Sequence, residues 1–298
     1  MPSLSVVIPF YNEPSLALLF ERLENVSRTL KQQGLDLEII LVDDGSDSDH
    51  TWAEVKAFKG RRKSVKAVRL ARNFGAFHAM KTGFGVAGGD CVAPLSADLQ
   101  DPPELLLEMA QKWQAGHKFV IAVRQGRDEA LSTRLFAGLY YQFIRRLAIR
   151  DFPSAGYDVA LMDKQLLPYL LQSSVMLNCR LLAYWLGFTP EVIYYQRAKR
   201  AAGESHWGLG KRINLFVSSI MGFSIWPARF VLYSGLLLSA LGLAAAIWQV
   251  ASGGALLLAL AILALGFVVT ALGLIAEYLW RIYAQVSQLP EVVIDEVL

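Results

Sequence analysis

The sequence predicts an α/β domain with a mostly parallel sheet, followed by a hairpin of two membrane-crossing helices. Two observations carry this prediction. Up to about residue 210 of the 298 residues, short apolar runs alternate with longer mixed stretches, which is the pattern of alternating strands and helices. From residue 230 to residue 276 the chain then contains no Asp, Glu, Lys or Arg, which is typical of membrane segments.

The α/β prediction is built on the apolar runs of the first part. Strands are predicted for the short runs at residues 4–8, 37–42, 65–70, 91–95 and 119–123. Helices are predicted for the amphipathic stretches between them, at residues 14–33, 77–87 and 103–115. Proline at position 103 agrees with the last of these, because proline is favoured in the first turn of a helix.

The membrane prediction rests on residues 230–250 and 255–276. Hydrophobic residues make up 54% of the chain, above the usual share of soluble domains, and the excess lies in these two segments. Each is long enough to cross a hydrocarbon core, which takes about 20 helical residues. The uncharged connection at residues 251–254 predicts a tight hairpin. A buried helical pair in a soluble core is the alternative, and it is disfavoured because neither segment has a polar face.

Charges around the hairpin predict its orientation. Lys211, Arg212 and Arg229 precede the first segment and Arg281 follows the second, whereas the connection carries no charge. The positive-inside rule therefore places the large domain and both termini in the cytoplasm, in a multi-pass protein of the plasma membrane. Residues 1–10 agree, because they lack the features of a signal peptide.

The predicted organisation has four parts. They are an α/β domain (residues 1–208), an amphipathic interfacial linker (209–228), two transmembrane helices (within 229–280) and a cytoplasmic tail (281–298). The net charge of +3 indicates no general attraction to nucleic acid. Cys91 and Cys179 lie far apart in apolar surroundings, which favours two reduced, buried thiols.

Polar segments follow three of the predicted strands. Carboxyl ends of parallel strands are where α/β sheets bind ligands. Each segment alone could be a turn or a helix cap, but their joint placement indicates a site. A dinucleotide-binding domain would need G-x-G-x-x-G after the first strand, which is absent. The segments are PFYNE at residues 9–13, DDGSD at residues 43–47 and SADLQDPP at residues 96–103.

The acidic residues of these segments predict a metal site. Asp43, Asp44 and Asp98 at one sheet edge would repel each other without a cation. Asp98 and Gln100, two residues apart in a segment expected to be extended, offer hard oxygen ligands. Such ligands, completed by diphosphate oxygens, suit Mg²⁺ or Mn²⁺.

Together, the motifs resemble the family 2 glycosyltransferases of GT-A fold. Within them the chain is most similar to the polyprenyl-phosphate sugar transferases related to dolichol-phosphate mannose synthase and to bacterial undecaprenyl-phosphate glucosyl and aminoarabinose transferases. The resemblance covers essentially the whole chain. Besides the three polar segments and the terminal hairpin, it rests on RNFG at residues 72–75, Arg124, GYD at residues 156–158 and GES at residues 203–205.

The resemblance implies a UDP-sugar donor and an undecaprenyl or other polyprenyl phosphate acceptor. Glucose is the first expectation for the sugar, and N-acetylglucosamine or a modified arabinose is the next. The product would be a lipid-linked sugar for cell-envelope glycan or lipid modification. It implies a metal held by Asp98 and Gln100. Ser96 departs from the family pattern, which usually has an acid there. The residues implied to bind the nucleotide-sugar are Pro9, Tyr11, Asn12, Glu13, Asp43, Asp44, Asn73, Gly75, Ser96, Ala97 and Asp98.

The chemistry of such an acceptor predicts the catalytic residues. With a second pKa near 6, a phosphate monoester is largely dianionic at neutral pH and is already a nucleophile. Direct displacement would invert the anomeric carbon, and cations must hold the two anions together. Arg124 and Arg134 are predicted to be catalytic cations. The resemblance implies that Asp158 is also catalytic, as a base or as an orienting group, of which the orienting role is favoured. A helix cap before residues 159–167 stays open as the alternative for Asp158. The predicted acceptor-phosphate ligands are Arg124, Arg134, Arg197, Arg200 and Ser205.

Other interpretations remain open. A processive polysaccharide synthase shares the domain type, but the chain lacks Q-x-x-R-W and has few spans. Ser96 motivates a non-catalytic, membrane-anchored nucleotide-sugar-binding scaffold. Each arginine could instead belong to a solvated basic face. Glycines in the predicted spans allow close helix packing, either within one chain or in a homo-oligomer, a dimer or tetramer.

Overall fold

The computed structural model describes the chain as two compact units. Residues Met1–Ser219 with Pro290–Leu298 form the first unit, and residues Ile220–Leu289 form the second. The residues it describes are 1–47, 49–125, 138, 141–146, 149–150, 152–153, 156–173, 179–198, 217, 233, 237, 256–286 and 292–298.

The first unit is built on one mixed sheet. Its described strands lie in the order β7-β5-β6-β4-β1-β2-β3-β8. Strand β6 is antiparallel to β4 and β5, and β8 is antiparallel to β3, whereas the other neighbours are parallel. The strands are β1 (Ser3–Phe10), β2 (Asp36–Asp43), β3 (Val65–Leu70), β4 (Cys91–Pro94), β5 (Phe119–Arg124), β6 (Val159–Asp163), β7 (Glu191–Tyr195) and β8 (Ile294–Val297).

The strand directions gather one set of loops at one edge. Because β6 runs opposite to both β4 and β5, β5 points the same way as β4, and β7 is parallel to β5. The carboxyl ends of β1, β2, β3, β4, β5 and β7 therefore share one edge of the sheet. The amino end of β6 lies at that same edge, which we call the carboxyl edge.

Helices cover both faces of the sheet. In α1, buried apolar residues recur at helical spacing, so that one helix face packs into the core. On the opposite face, α3 approaches β1 closely, since a Cβ on Gly83 would lie 2.2 Å from Val7 Cγ1. The helices of this unit include α1 (Leu16–Gln32), α2 (Asp49–Arg61), α3 (Ala76–Val86), α4 (Leu105–Gln114), α5 (Leu167–Gln172) and α6 (Cys179–Trp185).

The structure confirms the α/β prediction. All five predicted strands and all three predicted helices are present with small differences at their ends. The predicted tail at residues 281–298 contains β8, which pairs with β3 and extends the sheet. Cys91 is free and buried, as expected. The side chain of Cys179 lies outside the described part.

The second unit contains helix α7 (Leu256–Val286). It covers most of the predicted span at residues 255–276 and continues beyond it, although many of its side chains lie outside the described part. Within the described residues, no helix combines the length and the apolarity that a membrane span requires. The other predicted span, residues 230–250, and the linker at residues 209–228 lie outside the described residues except at positions 217, 233 and 237.

Glu38 on β2 forms a polar cluster away from the carboxyl edge. Its carboxylate accepts hydrogen bonds from Ser5 Oγ and from Gly88 N at 2.8 Å, and lies 2.7 Å from Lys66 Nζ. Burial opposes ionisation, but the hydrogen bonds from Lys66, Ser5 and Gly88 together lower the pKa of Glu38. The cluster ties β1, β2 and β3 to the turn before β4.

We expect Glu38→Gln to destabilise the fold near neutral pH, because it removes the charge that pairs with Lys66. The loss should be only about 1 kcal/mol, because both side chains are partly exposed to water. The pKa is lower in the folded chain, so this stabilisation is present at neutral pH and is lost as the pH falls through the folded pKa. Thermal unfolding of the detergent-purified chain measures it. Exposed Glu21→Gln on α1 is the control. An equal difference at neutral pH and well below the ordinary carboxyl pKa of about 4.3 would contradict this assignment.

Candidate active site

The loops after β1 and β2 are joined by hydrogen bonds. Tyr11 Oη donates to Asp47 Oδ2 at 2.6 Å, and Asn12 N donates to Ser46 Oγ at 2.9 Å. Asp47 N donates back to Asn12 Oδ1 at 3.1 Å. The hydrogen bond between the two side chains raises the pKa of Tyr11 and lowers the pKa of Asp47. Tyr11 and Asn12 were predicted to bind the nucleotide-sugar, whereas Ser46 and Asp47 were named only as part of the polar segment at residues 43–47.

Asp43 is a fully buried carboxylate at the end of β2. Its Oδ1 accepts from Ser46 N at 2.9 Å, and its Oδ2 lies 3.5 Å from Arg69 Nε. Among the described residues, Oδ2 has no hydrogen-bond partner. Since buried polar atoms are nearly always paired, this oxygen has capacity for a hydrogen bond from a bound molecule.

Asp44 anchors the loop before α3. Its Oδ1 accepts from Phe74 N at 2.8 Å and its Oδ2 from Gly75 N at 2.9 Å. Burial raises the pKa of Asp44, and these two amide hydrogen bonds oppose the rise. The structure thus places Asn73, which is exposed, and Gly75 beside the loop after β2.

The segment after β4 is a turn, so the prediction of an extended segment is wrong. Asp98 Oδ1 accepts from Ser96 Oγ at 2.8 Å and from Gln100 N at 3.2 Å. This second hydrogen bond closes a turn around Leu99, whose φ is +59°. Aspartate favours such turns by bonding to the backbone two residues further on. Ser96 donates a hydrogen bond that holds the carboxylate of Asp98.

Ser15 connects the loops after β1 and β4. Its N and Oγ both donate to Glu13 Oε1, and its Oγ lies 3.1 Å from Ala97 O. Pro9, within β1, is paired with Val42 of β2. The predicted nucleotide-sugar residues of the loops after β1, β2, β3 and β4 therefore lie along one continuous set of contacts.

Asp98 and Gln100 fit a divalent cation in their donor chemistry. A carboxylate and an amide carbonyl are hard oxygen ligands, and Mg²⁺ is commonly held by one or two such groups together with substrate phosphates and water. Within the described residues, no group of three or more His, Cys, Asp or Glu side chains could hold a metal alone. Asp98 and Gln100 would supply two of the ligands of such a cation.

Arg124 and Asp158 form a bidentate ion pair at the same edge. Arg124 Nε donates to Asp158 Oδ2 and Nη2 donates to Oδ1, both at 2.9 Å. Arg124 ends β5, and Asp158 directly precedes β6, with its N donating to Ala122 O. The helix-cap alternative for Asp158 is wrong, because Val159 begins a strand. The geometry agrees with an orienting role for Asp158.

Tyr195 and Asp101 are site residues that the sequence reasoning missed. Tyr195 ends β7, and its Oη donates to Asp101 Oδ1 at 2.6 Å while lying 3.0 Å from Asp158 Oδ2. Arg197, a predicted acceptor ligand, places its Nε 3.2 Å from Asp101 Oδ1. Asp101 lies within the predicted DPP segment, but no motif marks Tyr195.

The other predicted acceptor residues cannot be placed. Arg134, Arg200 and Ser205 lie outside the described residues. The described part brings Arg124, Asp158 and the nearby Arg197 together. These residues adjoin the loop that carries Asp98 and Gln100.

Strand β8 adds a further group of residues beside the loop after β2. Glu296 accepts from Trp52 Nε1 at 2.7 Å and pairs with Lys56 Nζ at 2.8 Å. Arg69, opposite Glu296 in the β3–β8 pairing, also donates to Ser46 O at 3.2 Å. The end of the chain therefore packs next to the residues that contact Asp43.

Comparison with known proteins decides the family. The model described as Glycosyl transferase family 2 matches residues 5–166. The chain belongs to glycosyl transferase family 2. The matched range of this family 2 glycosyltransferase includes the loops after β1, β2 and β4 as well as Arg124 and Asp158, whereas Tyr195, Arg197 and β8 lie beyond it.

Relatives match the family 2 glycosyltransferase along nearly its whole length. An uncharacterized glycosyltransferase of Synechocystis sp. is 34% identical over 96% of this chain and 93% of the relative. A bactoprenol glucosyl transferase of Shigella phage SfII is 30% identical, covering 98% of this chain and 97% of the relative. An undecaprenyl-phosphate 4-deoxy-4-formamido-L-arabinose transferase of Klebsiella pneumoniae is 31% identical, covering 99% and 93%.

Solved structures are more distant. Mannosyl-3-phosphoglycerate synthase of Rubrobacter xylanophilus is 18% identical with a TM-score of 0.49, covering 78% of this chain and 75% of that one. The mixed α/β sheet with its acidic loops at the carboxyl edge agrees with the GT-A-like fold that the family resemblance implied.

Proposed function

We propose that this family 2 glycosyltransferase moves a sugar from a UDP-sugar to a polyprenyl phosphate, with inversion, at the cytoplasmic face of the plasma membrane. One observation carries the proposal. The acidic loops after β1, β2 and β4 and the Arg124–Asp158 pair lie at the same sheet edge, joined through Tyr195. The names of the relatives from the Shigella phage and Klebsiella pneumoniae support the acceptor class.

The donor half of the site comprises the loops after β1 to β4. The buried Oδ2 of Asp43 is suited to accept a hydrogen bond from the nucleoside, and Tyr11 and Glu13 lie in the adjoining loop. Asp98 and Gln100 would hold Mg²⁺ or Mn²⁺, which supplies positive charge for the departing diphosphate. Ser96 keeps the carboxylate of Asp98 in place through its hydrogen bond, so this departure from the family pattern is compatible with turnover.

The acceptor half is centred on Arg124. Two hydrogen bonds to Asp158 hold its guanidinium in place. The guanidinium is thereby oriented to bind an anionic ligand at the carboxyl edge. Arg197, with Arg134, Arg200 and Ser205, completes the proposed phosphate site. An oxygen of the lipid phosphate attacks the anomeric carbon as the bond from that carbon to the UDP oxygen breaks. Because the phosphate is already dianionic, Asp158 orients Arg124 and need not remove a proton.

The position of β8 supports an even number of membrane crossings. Residues before the apolar region and residues after it belong to one compact unit, because β8 pairs with β3 in the same sheet. Both ends of the region must therefore lie on one side of any membrane that it enters. This favours the two-helix hairpin over a single crossing and agrees with both termini in the cytoplasm. A homo-oligomer, a dimer or tetramer, stays a prediction.

Sugar transfer by the detergent-purified chain tests the function. A panel of radiolabelled UDP-sugars would be incubated with undecaprenyl phosphate and Mg²⁺, Mn²⁺ or EDTA. We expect a lipid-soluble product from one donor, with UDP-glucose the first candidate, and no product in EDTA. Proton NMR should show a β linkage from the α-linked donor. Donor binding without product across the panel would support the non-catalytic scaffold, and a retained α linkage would refute direct displacement.

A further inference from the structure

Tyr195 occupies the junction between the two halves of the site. It is 6% exposed and ends β7 at the carboxyl edge. Its Oη lies 2.6 Å from Asp101 Oδ1 and 3.0 Å from Asp158 Oδ2. Two carboxylates from separate segments therefore converge on one phenolic oxygen.

A phenol carries one proton, which here faces two anionic acceptors. Burial, together with the charges of Asp158 and Asp101, raises the pKa of Tyr195, so the hydroxyl stays a donor. Without it, the two carboxylates would lose the donor that they share, and although Arg197 lies beside Asp101 and Arg124 pairs with Asp158, their like charges would repel in this partly buried setting. The hydroxyl is thus a bridge that holds both carboxylates at hydrogen-bonding distance.

The two carboxylates belong to opposite sides of the proposed reaction. Asp101 immediately follows Gln100 in the loop after β4, and Ala198 N donates to Gln100 O at 3.0 Å, which ties this loop again to the segment after β7. Asp158 holds Arg124 through two hydrogen bonds. A single side chain therefore contacts the loop proposed to hold the diphosphate and the residue that orients the proposed phosphate-binding arginine.

We propose that Tyr195 is a positioning residue that fixes the distance between the loop carrying Asp98 and Gln100 and the guanidinium of Arg124. This inference rests on the proposed function. In-line displacement requires the anomeric carbon and the attacking phosphate oxygen to be held about 3–3.5 Å apart, and a misplacement of about 1 Å can cost on the order of 100-fold in rate. Tyr195 acts through Asp101 and Asp158 and does not touch the reacting atoms.

The test compares Tyr195→Phe with Tyr194→Phe. Tyr194 precedes it on β7 and is 62% exposed, so it undergoes the same chemical change at the surface. We expect Tyr195→Phe to lower kcat for sugar transfer, per folded molecule, by about 10- to 100-fold. The Kd for UDP with Mn²⁺ should change less than about threefold, because the donor half stays intact. Tyr194→Phe should match the wild type in both measurements.

Two double variants separate positioning from a structural role. If Tyr195 acts through Asp158, the kcat losses of Tyr195→Phe and Asp158→Asn should be strongly non-additive. Adding Asp101→Asn to Tyr195→Phe removes the repulsion between the carboxylates, so it should restore thermal stability while kcat stays low. This combination also keeps the test valid if Tyr195→Phe alone folds poorly.

The outcomes distinguish this inference from the proposed function. If the wild type transfers sugar and folded Tyr195→Phe retains kcat within about twofold, the positioning role is refuted. The role is also refuted if kcat recovers when Asp101→Asn is added to Tyr195→Phe, or if the kcat losses of Tyr195→Phe and Asp158→Asn are additive. A wild type that binds UDP but transfers no sugar overturns the proposed function, and the positioning role with it.

Discussion

The substitution Asp98→Asn is expected to lower the rate of sugar transfer by about two to three orders of magnitude. Asparagine keeps the size of the side chain and an oxygen that can accept the hydrogen bonds from Ser96 Oγ and Gln100 N. It removes the negative charge that would hold the divalent cation. The turn around Leu99 should therefore persist while stabilisation of the departing diphosphate is lost.

Two measurements check the Asp98→Asn prediction. Initial rates at saturating Mn²⁺ give the loss of transfer, and UDP binding with and without Mn²⁺ should show a metal-dependent gain in the wild type that disappears in the variant. Asp90→Asn is the matched control. Asp90 precedes β4 at the opposite sheet edge, where it accepts from Ser3 N and Lys164 Nζ. If the gain in UDP binding with Mn²⁺ were the same in Asp98→Asn as in the wild type, Asp98 would not be a metal ligand.

The substitution Arg124→Lys is expected to reduce kcat/KM for the lipid phosphate by about 100- to 1,000-fold. Arg124 makes two parallel hydrogen bonds to Asp158, a geometry that the single ammonium of lysine cannot reproduce. Lysine keeps the positive charge, so the buried carboxylate of Asp158 is not left without a cation. The loss should therefore report orientation of the acceptor site more than global destabilisation.

Steady-state kinetics with varied undecaprenyl phosphate measures the Arg124→Lys effect, and UDP binding should stay close to that of the wild type. Arg61→Lys provides the same chemical change at an exposed position of α2. If Arg124→Lys and Arg61→Lys gave the same kcat/KM, the acceptor site would lie elsewhere. If UDP binding fell in parallel with kcat/KM, Arg124 would belong to the donor half.

Much of the donor half could be predicted from the sequence, because it follows from local patterns. Each polar segment directly follows an apolar run, and parallel strands bring such segments to one edge. The Asp-Gly-Ser turn also follows from local chemistry. Gly45 has a φ of +67°, and a Cβ there would lie 2.3 Å from the backbone carbon of Arg72, so a larger residue would collide with the neighbouring loop.

The side-chain pairings across the site could not be predicted, because they depend on contacts between distant segments. Tyr195 contacts Asp101 and Asp158 because β6 lies antiparallel between β4 and β5. No periodicity in the sequence predicts that strand order. From the sequence, Asp158 is ambiguous between a helix cap and a site residue, and the structure rules out the cap because Val159 begins a strand. The prediction that residues 96–100 are extended failed because Asp98 bonds to Gln100 N and bends the chain at Leu99.

The C-terminal strand is a second feature hidden from local patterns. The segment at residues 294–297 is short and includes two acidic residues, a composition that is compatible with a polar tail. Their pairing with β3 is stabilised by partners far away in the sequence, since Glu296 contacts Trp52 and Lys56. Only the three-dimensional structure brings these residues together beside Arg69 and Asp43.

Transfer to a matched pair of acceptors shows whether a lipid phosphate is the nucleophile. The purified chain would be incubated with its UDP-sugar and a divalent cation, and with either undecaprenyl phosphate or undecaprenol. Mass spectrometry would follow the lipid products. We expect undecaprenyl phosphate to yield a lipid that carries one added sugar through its phosphate, and undecaprenol to yield no product. Equal transfer to undecaprenol, or transfer to undecaprenol alone, would contradict it.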